Sequence, residues 1–558
     1  MSIASRAPTT SADPPASLGA EDDATGSPRT RRTELLALAS GDRLWTIVAY
    51  TAVAVGCVLR LIRFLDNPAL WIDEARLAIN LMDKSFFDIF GPLEFTQSAP
   101  PGFLLVEKGA EMSLGDGEHS LRLFPLLAAL ASVLLFAYVA RRLLMPATAA
   151  LAIVLFAAGE PLLERAAEVK PYSVDVAVAT LLVALAVWIL DAPSGRSGVR
   201  VAVLGVLGVV VVWLSFPAIF TLSAALAAIG VHAWQIRSQR LFTAATVVGG
   251  VGLASFAAVY VVASSTVQSI SAAIFLGDDS ESAVQQLDIV QDAWSMFVIT
   301  LGFDNGTHAL AALLACFGVI ALLRRGSLDR LALLTVPALL AVAADLLDRY
   351  PLGGRFSLYL VPSLLVLVAR GAQALVEWSR RPLLVSAGLA VFLVTSPLAV
   401  AGYHVLESPG REDIRPLLTH LIRDWREGDA LYVHSGSQYA LRYYTTCDDC
   451  APSGADFPWP TRLAPAGPDH PNTPALESVP PELIIGSGDG PVVLADLSRL
   501  PQPGRLWLLF SHVLTHDGID AENVLAAELG HEGEPVEVIR GNGARLYLFD
   551  RPAREGSR

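Results

Sequence analysis

Residues 70–79 read LWIDEARLAI, and this stretch joins a long apolar segment to a long polar one. It places two adjacent carboxylates, Asp73 and Glu74, two residues after the indole of Trp71. Indoles are favoured where a membrane meets water, because their ring is apolar while the N–H still finds a partner. What two carboxylates do at the end of an apolar segment depends on the protein around them.

The chain is too apolar for a soluble globular protein. Of its 558 residues, 53% are hydrophobic and 17% are charged, and the mean hydropathy is +0.50. A helix needs roughly 20 apolar residues to cross a bilayer, and such runs recur up to about residue 402 and not beyond. The composition therefore predicts a polytopic α-helical membrane protein. The net charge of −14 argues against nucleic acid as a partner.

Hydropathy predicts about eleven transmembrane helices within residues 44–402. The predicted spans are 44–64, 121–140, 146–163, 171–191, 199–215, 217–234, 241–263, 307–323, 328–347, 356–377 and 383–402. Residues 1–43 are expected to form a disordered cytoplasmic tail; they lack the apolar region of a signal peptide. Two long loops, 65–120 and 264–306, separate spans on one side, and the second contains VQQLDIVQDAW, a candidate interfacial helix.

Arginines indicate the orientation, since cytoplasmic loops are enriched in basic residues. If the N-terminus is cytoplasmic, every predicted inside loop is positive. The arginines of these loops are Arg141, Arg142, Arg196, Arg200, Arg237, Arg240, Arg324, Arg325, Arg330, Arg380 and Arg381. The pattern predicts a multi-pass protein of the cell membrane whose C-terminal part, residues 403–558, is extracytoplasmic.

Residues 403–558 alternate helix-like and strand-like segments, which predicts a small α/β domain. The candidate strands are DALYVHS, RLWLLFS, VEVIR and ARLYLFD, and the candidate helices are REDIRPLLTHLIRDW and AENVLAAEL. Cys447 and Cys450 belong to this domain. A redox motif or half of a metal site is conceivable, but a plain disulfide is the simplest interpretation in an oxidising compartment.

Polar residues gather in the predicted outside loops and at their edges. They are Asp73, Glu74, Gln97, Lys108, Arg122, Glu168, Lys170, Tyr172, Tyr350 and Arg355. All of them face one compartment in the predicted topology, so carboxylates and cations can meet at one membrane boundary. A site for a lipid-phosphate substrate needs both kinds of group: cations to bind the phosphate and a carboxylate to act as base toward the acceptor.

Five motifs resemble the GT-C glycosyltransferases, specifically bacterial members related to the RgtA/B/C/D-like and protein O-mannosyltransferase group. They are WIDEA, QSAPPGFLLVEK with its Pro100–Pro101 pair, EHSLRLFP, EVKPYSVDV and YPLGGRFSLYLVP. The resemblance covers about residues 44–400. GDALYVHSGSQYALRYY is similar, less specifically, to the outer domain of some bacterial members.

The resemblance implies an inverting glycosyltransferase that moves a sugar from a polyprenyl-phosphate donor to an extracytoplasmic glycan, lipid or protein. It implies Asp73 as general base and a second acid at Glu168, with Glu74 beside them. It assigns the donor phosphate to Lys108, Lys170, Arg355 and Tyr350. Many relatives carry Arg where this chain has Lys170, which leaves the geometry of that contact open. No cofactor is implied, although Asp73 and Glu74 could share a divalent cation.

Other interpretations of the same residues stay open. Asp73 could cap a helix, Lys170 and Arg122 could be interfacial cations, and Tyr172 could belong to an aromatic belt. At the level of function, the alternatives are a transporter or flippase of lipid-linked substrates and a sensor or scaffold with a ligand-binding outer domain. A transporter predicts ionisable residues in the middle of spans.

Overall fold

The computed structural model describes residues 28–192, 197–275, 301, 307–406, 411–453, 456–457, 483–488, 492–515 and 520–551. Its first helices are α1 (Pro28–Leu65), α2 (Ile72–Asp83), α3 (Pro101–Leu114), α4 (Glu118–Leu143), α5 (Pro146–Ala158), α6 (Glu160–Glu164) and α7 (Tyr172–Leu190). The bundle continues with α8 (Ser197–Leu214), α9 (Ala218–Gln235), α10 (Gln239–Phe275), α11 (Thr307–Arg324), α12 (Leu328–Asp345), α13 (Val361–Trp378) and α14 (Pro382–Leu406).

Nine helices within these described ranges are long and apolar enough to cross a membrane, which confirms the helical membrane fold. Helices α5 and α6 add a tenth if the pair, bent by 48°, is one span. Helix α12 lies where the ninth span is predicted and packs along α9, but it carries Asp329, Arg330 and Asp345 and is less apolar. The candidate interfacial helix VQQLDIVQDAW lies outside the described residues.

The first loop, between α1 and α4, is built from helices rather than irregular chain. Helix α2 begins after Trp71, so Asp73 is its second residue and does not cap it; the capping interpretation is wrong. Glu74 instead reaches back to the Trp71 N–H at 3.4 Å. Pro101 is the first residue of α3, where its missing N–H costs nothing.

A buried arginine holds the broken third span. Arg60 of α1 is 1% exposed and donates from its guanidinium to the carbonyls of Phe156 and Ala157 at 3.3 and 3.1 Å. These carbonyls end α5, where the helix breaks and leaves them without intrahelical partners. Gly56 permits the approach, because a Cβ there would lie 2.8 Å from the Ala157 Cβ.

The C-terminal domain has a mixed sheet of five strands. They are β1 (Ala430–Val433), β2 (Leu483–Ile485), β3 (Gly504–Ser511), β4 (Glu537–Gly541) and β5 (Ala544–Arg551), in the order β2-β1-β3-β5-β4. Strand β1 is parallel to β2 and β3, whereas β5 is antiparallel to β3 and β4. The helices are α15 (Arg415–Asp424), α16 (Gln438–Thr446), α17 (Val493–Asp496) and α18 (Ala521–Gly530). Four strands and two helices match the predicted segments; β2, α16 and α17 were not predicted.

The C-terminal domain rests on the first loop. Arg442 of α16 forms an ion pair with Asp83 at the end of α2, at 2.5 Å. The Tyr444 hydroxyl donates to Glu118 at 2.7 Å, and one apolar core runs from α2 and α3 into α15 and α16. Cys447 and Cys450 form a disulfide directly after α16. The domain and the loop therefore pack as one unit.

The role of Arg60 leads to a stability prediction. Arg60→Met keeps the length of the side chain but leaves the two carbonyls unpaired in an apolar setting. Each buried unpaired group costs about 1–3 kcal/mol, so unfolding of the purified protein in detergent should occur at a clearly lower temperature. Arg43→Met, at an exposed position of the same helix near the start of its apolar part, Gly41–Leu65, is the matched control. Equal midpoints for both variants would show that Arg60 does not hold the break.

Candidate functional site

The site is centred on an ion pair between two distant parts of the chain. Arg355 donates to Asp73 with 2.5 Å between Nη2 and Oδ2. Asp73 lies in the first turn of α2, and Arg355 lies in the 3₁₀ helix Gly354–Leu360 that leads into α13. Gly354, at φ +51°, supplies the left-handed turn that starts this helix.

Aromatic rings hold the Arg355 guanidinium in place. It lies 5.1 Å from the ring centre of Trp71, 5.6 Å from that of Tyr172 and 5.5 Å from that of Phe356. A planar guanidinium packs well against such faces and gains cation–π attraction. The rings cover the apolar faces of the cation, and about a quarter of the side chain stays exposed. Arg355 is therefore positioned to bind an incoming anion.

Lys170 is the second cation of the site, and it is almost fully buried. It lies in the short connection between α6 and α7, is 5% exposed, and donates to the side-chain oxygen of Gln97. Gln97 is fixed in turn by the Phe95 carbonyl at 3.3 Å. Burial lowers the pKa of Lys170 to about 8, although the charge of Asp73 opposes the shift.

The ionisation of Asp73 is decided by the same neighbours. Burial opposes its negative charge, but the attraction of Lys170 and Arg355 outweighs burial and holds the pKa of Asp73 below its ordinary value. Asp73 is therefore an ionised carboxylate at neutral pH, and its two cations reduce its basicity. A substrate phosphate that drew these cations away would restore that basicity.

Glu168 lies beside the pair with its two oxygens in different states. Oε1 accepts from the indole N–H of Trp71 at 2.8 Å and from Arg165 at 2.6 Å. Oε2 is buried and has no hydrogen-bond partner among the described residues. Burial is the main reason that the pKa of Glu168 is raised, despite the charge of Arg165. Glu168 thus holds Trp71 against Arg355 and keeps one oxygen available.

Glu74 has a positioning role in this geometry. It forms a buried ion pair with Arg122 of α4 at 3.2 Å, and its Oε1 also accepts from the Val169 N–H at 2.8 Å. Both oxygens are occupied by partners that belong to other segments. Glu74 therefore ties α2 to α4 and to the connection that carries Lys170, instead of facing a substrate.

Two candidate phosphate-binding residues do not join the cluster. Lys108 binds the carbonyl of Leu81 at 2.7 Å and the carboxylate of Glu111 at 2.7 Å. Leu81 is eight residues along α2 from Asp73, which separates them by about 12 Å. The hydroxyl of Tyr350 donates to the Phe356 carbonyl at 3.0 Å, so it supports the turn that carries Arg355.

Sequence reasoning missed several ionisable and polar residues of this region. Arg165 binds Glu168, and Asp175 lies in the first turn of α7 with its Oδ1 buried and unpartnered among the described residues. Ser215 and Tyr359 also have buried, unpartnered oxygens within the described chain. A charge in the first turn of a span is a functional signal in itself, so the Asp of PYSVDV could have been found.

Among the described residues, neither group that could hold a metal ion contains Asp73 or Glu74. Within the described ranges, two clusters have metal-ligand spacing: Glu160, Glu164 and His404, and the set His420, Asp424 and Glu537. The carboxylates of Asp73 and Glu74 are each bound by an arginine. They do not fit a shared divalent cation, because its binding would have to displace both guanidinium groups.

Comparison with known proteins finds solved structures with a similar fold. No family model and no curated protein matches the chain. ArnT from Cupriavidus metallidurans in the apo state matches with a TM-score of 0.50 and 13% identity, over 92% of this chain and 98% of that one.

Two further solved structures are similar. ArnT bound to undecaprenyl phosphate matches with a TM-score of 0.49 and 14% identity, over 90% of this chain and 97% of that one. The Archaeoglobus fulgidus oligosaccharyltransferase in complex with Zn and sulfate matches with a TM-score of 0.46 and 12% identity, over 71% of this chain. The chain spans 61% of the length of that oligosaccharyltransferase. The apo ArnT match and the helical bundle together show that this chain shares the fold of ArnT, in agreement with the helical membrane fold that the sequence resemblance implies.

Proposed function

We propose that the protein transfers a sugar from a polyprenyl-phosphate donor to a hydroxyl of a glycan, lipid or protein acceptor. The observation that carries the proposal is one carboxylate, Asp73, held between the cations Arg355 and Lys170 at one end of the bundle. Transfer from a lipid phosphate needs these groups together: cations for the phosphate and a base for the acceptor.

The site supports an inverting reaction in one step. The acceptor oxygen forms its bond to the anomeric carbon while the bond from that carbon to the phosphate oxygen breaks. The electron pair of the broken bond leaves with the lipid phosphate, whose charge Arg355 and Lys170 stabilise. The proton of the acceptor hydroxyl passes to Asp73. Because the phosphate competes for the cations that pair with Asp73, donor binding and activation of the base are coupled.

The location of the site supports an extracytoplasmic reaction. Arg325, Arg330 and Arg381 lie at the other end of the bundle from Arg355, as expected if that end is cytoplasmic. The N-terminus is then cytoplasmic, and the C-terminal domain stands outside over the site. One similar structure is ArnT bound to undecaprenyl phosphate. As part of the proposal, we extend this class of carrier, the polyprenyl phosphates, to the donor of this chain.

A direct assay tests the function. Purified protein in liposomes is supplied with polyprenyl-phosphate sugars labelled in the sugar, together with acceptors extracted from bacterial envelopes. Transfer of label into an acceptor with release of polyprenyl phosphate supports the proposal. Movement of intact donor across the bilayer without product would support a transporter, and donor binding without either change would support a sensor.

The base role of Asp73 has its own expected outcome. Asp73→Asn keeps the size of the side chain and removes its basicity, so turnover at saturating donor should fall by about 10²- to 10⁴-fold. Asp66→Asn, the same change at an exposed position seven residues earlier, should leave turnover unchanged. If the Asp73→Asn variant is as stable as wild type and turns over normally, Asp73 is not the base, and Glu168 is the next candidate.

The pKa of Lys170 predicts a pH dependence of donor binding. The cationic form predominates below pH 8 and is lost as pH rises through that value, so the attraction for phosphate weakens. We expect the apparent KM for donor to rise about tenfold between pH 7 and pH 9. Lys170→Arg stays charged over this range and should give a flat profile. The same slope in both proteins would mean that Lys170 does not bind the donor phosphate.

A further inference from the structure

A second cationic site lies at the other end of the bundle from Asp73. A cavity of about 100 Å³ opens between α4, α11, α12 and α13, and three arginines line it: Arg325, Arg330 and Arg370. Arg355 lies at the start of the continuous helical element Gly354–Trp378, and Arg370 lies 15 residues further along it, roughly 25 Å away. The cavity therefore cannot belong to the Asp73 site and has no part in the proposed transfer reaction.

Two of the arginines already have carboxylate partners. Arg325 forms an ion pair with Glu377 at 2.7 Å, and the other oxygen of Glu377 accepts from Gln373 at 2.8 Å. Arg330 lies 3.6 Å from Asp191, a longer contact. Both arginine side chains are nearly half exposed, so the cavity opens to the membrane surface beside them.

Arg370 is different, because its guanidinium is buried without a direct carboxylate partner among the described residues, although the more distant charge of Glu377 attracts it. The residue is 8% exposed, and among the described residues its Nε has no hydrogen-bond partner and its guanidinium has no carboxylate within 4 Å. Burying a cation without a direct partner is unfavourable, because the charge loses its hydration. An anion in the cavity would remove this cost and would meet two further arginines at its rim.

Rigid packing surrounds Arg370 and gives the cavity a fixed shape. Gly371, the next residue, lies against α11 so closely that a Cβ would collide with the Leu314 carbonyl. The apolar residues of the cavity wall are Leu143, Leu322, Leu334 and Val366. Arginines beside an apolar wall fit a molecule with an anionic head and an apolar body.

We propose that this cavity binds a phosphate-bearing anion, and that in the membrane its source is the headgroup of an anionic phospholipid. The three guanidinium groups supply paired donors for phosphate oxygens. The position between helices, at the end where basic residues gather, is typical of headgroup sites. Because the cavity touches four helices, an occupied site should stabilise their packing against one another.

The test uses the purified full-length protein in a neutral detergent. Phosphatidylglycerol, phosphatidylcholine with the same acyl chains, and inorganic phosphate are each titrated while lipid adducts are measured by native mass spectrometry and unfolding by thermal melting. Wild type should bind phosphatidylglycerol and melt at a higher temperature with it, whereas phosphatidylcholine should do neither. Arg370→Gln should weaken phosphatidylglycerol binding roughly 5- to 10-fold, as expected when one charge-assisted partner is lost.

The control is Arg381→Gln, which removes the same charge from an exposed position at the same end of the bundle and should bind like wild type. Arg330→Gln, at a half-exposed position, serves if Arg370→Gln does not fold. Stabilisation by inorganic phosphate alone, lost in the cavity variants, would support the anion site with a free phosphate as its source. Equal binding of the two lipids, or equal phosphatidylglycerol binding by wild type and the cavity variants, would overturn the proposal.

Discussion

The buried ion pair between Glu74 and Arg122 joins three segments that are distant in sequence. It holds the start of α2 against α4, and Glu74 also accepts the N–H of Val169 in the connection before α7. Neighbouring positions of a helix point about 100° apart, so Asp73 faces away from this contact and toward Arg355. The two adjacent carboxylates therefore differ in surroundings: Glu74 joins segments of the fold, whereas Asp73, the base that we propose, faces Arg355.

The C-terminal domain also holds α2 in position. Its Glu412 accepts the first N–H of α2, from Ile72, at 3.2 Å, and His512 holds Glu412 at 2.6 Å. Arg442 binds the other end of α2 through Asp83. The helix that carries Asp73 is thus held at both ends by the domain, which explains how a short helix outside the bundle keeps a fixed position.

The sequence predicted the fold and part of the site, and the difference between them has a physical reason. Span positions and strand segments follow from local apolar patterns, which a linear sequence displays directly. The meeting of Asp73 with Arg355 depended on topology, because both lie at the same end of the bundle. Topology also places Lys108 at this end of the bundle. It does not give the distances between residues at that end, and in the structure Lys108 lies away from Asp73, beside Leu81 and Glu111. Arg60 was missed because hydropathy is averaged over a whole span, and one charge changes that average little. Its role depends on the break after α5, whose carbonyls it binds.

The central claim is that a lipid phosphate takes the cations that pair with Asp73 and thereby frees it as a base. A structure of the protein with bound polyprenyl phosphate measures this directly. We expect phosphate oxygens about 3 Å from the Arg355 guanidinium and the Lys170 ammonium, with the contact between Arg355 and Asp73 opened. A phosphate bound elsewhere, for example beside Lys108, with the contact between Arg355 and Asp73 intact, would contradict it.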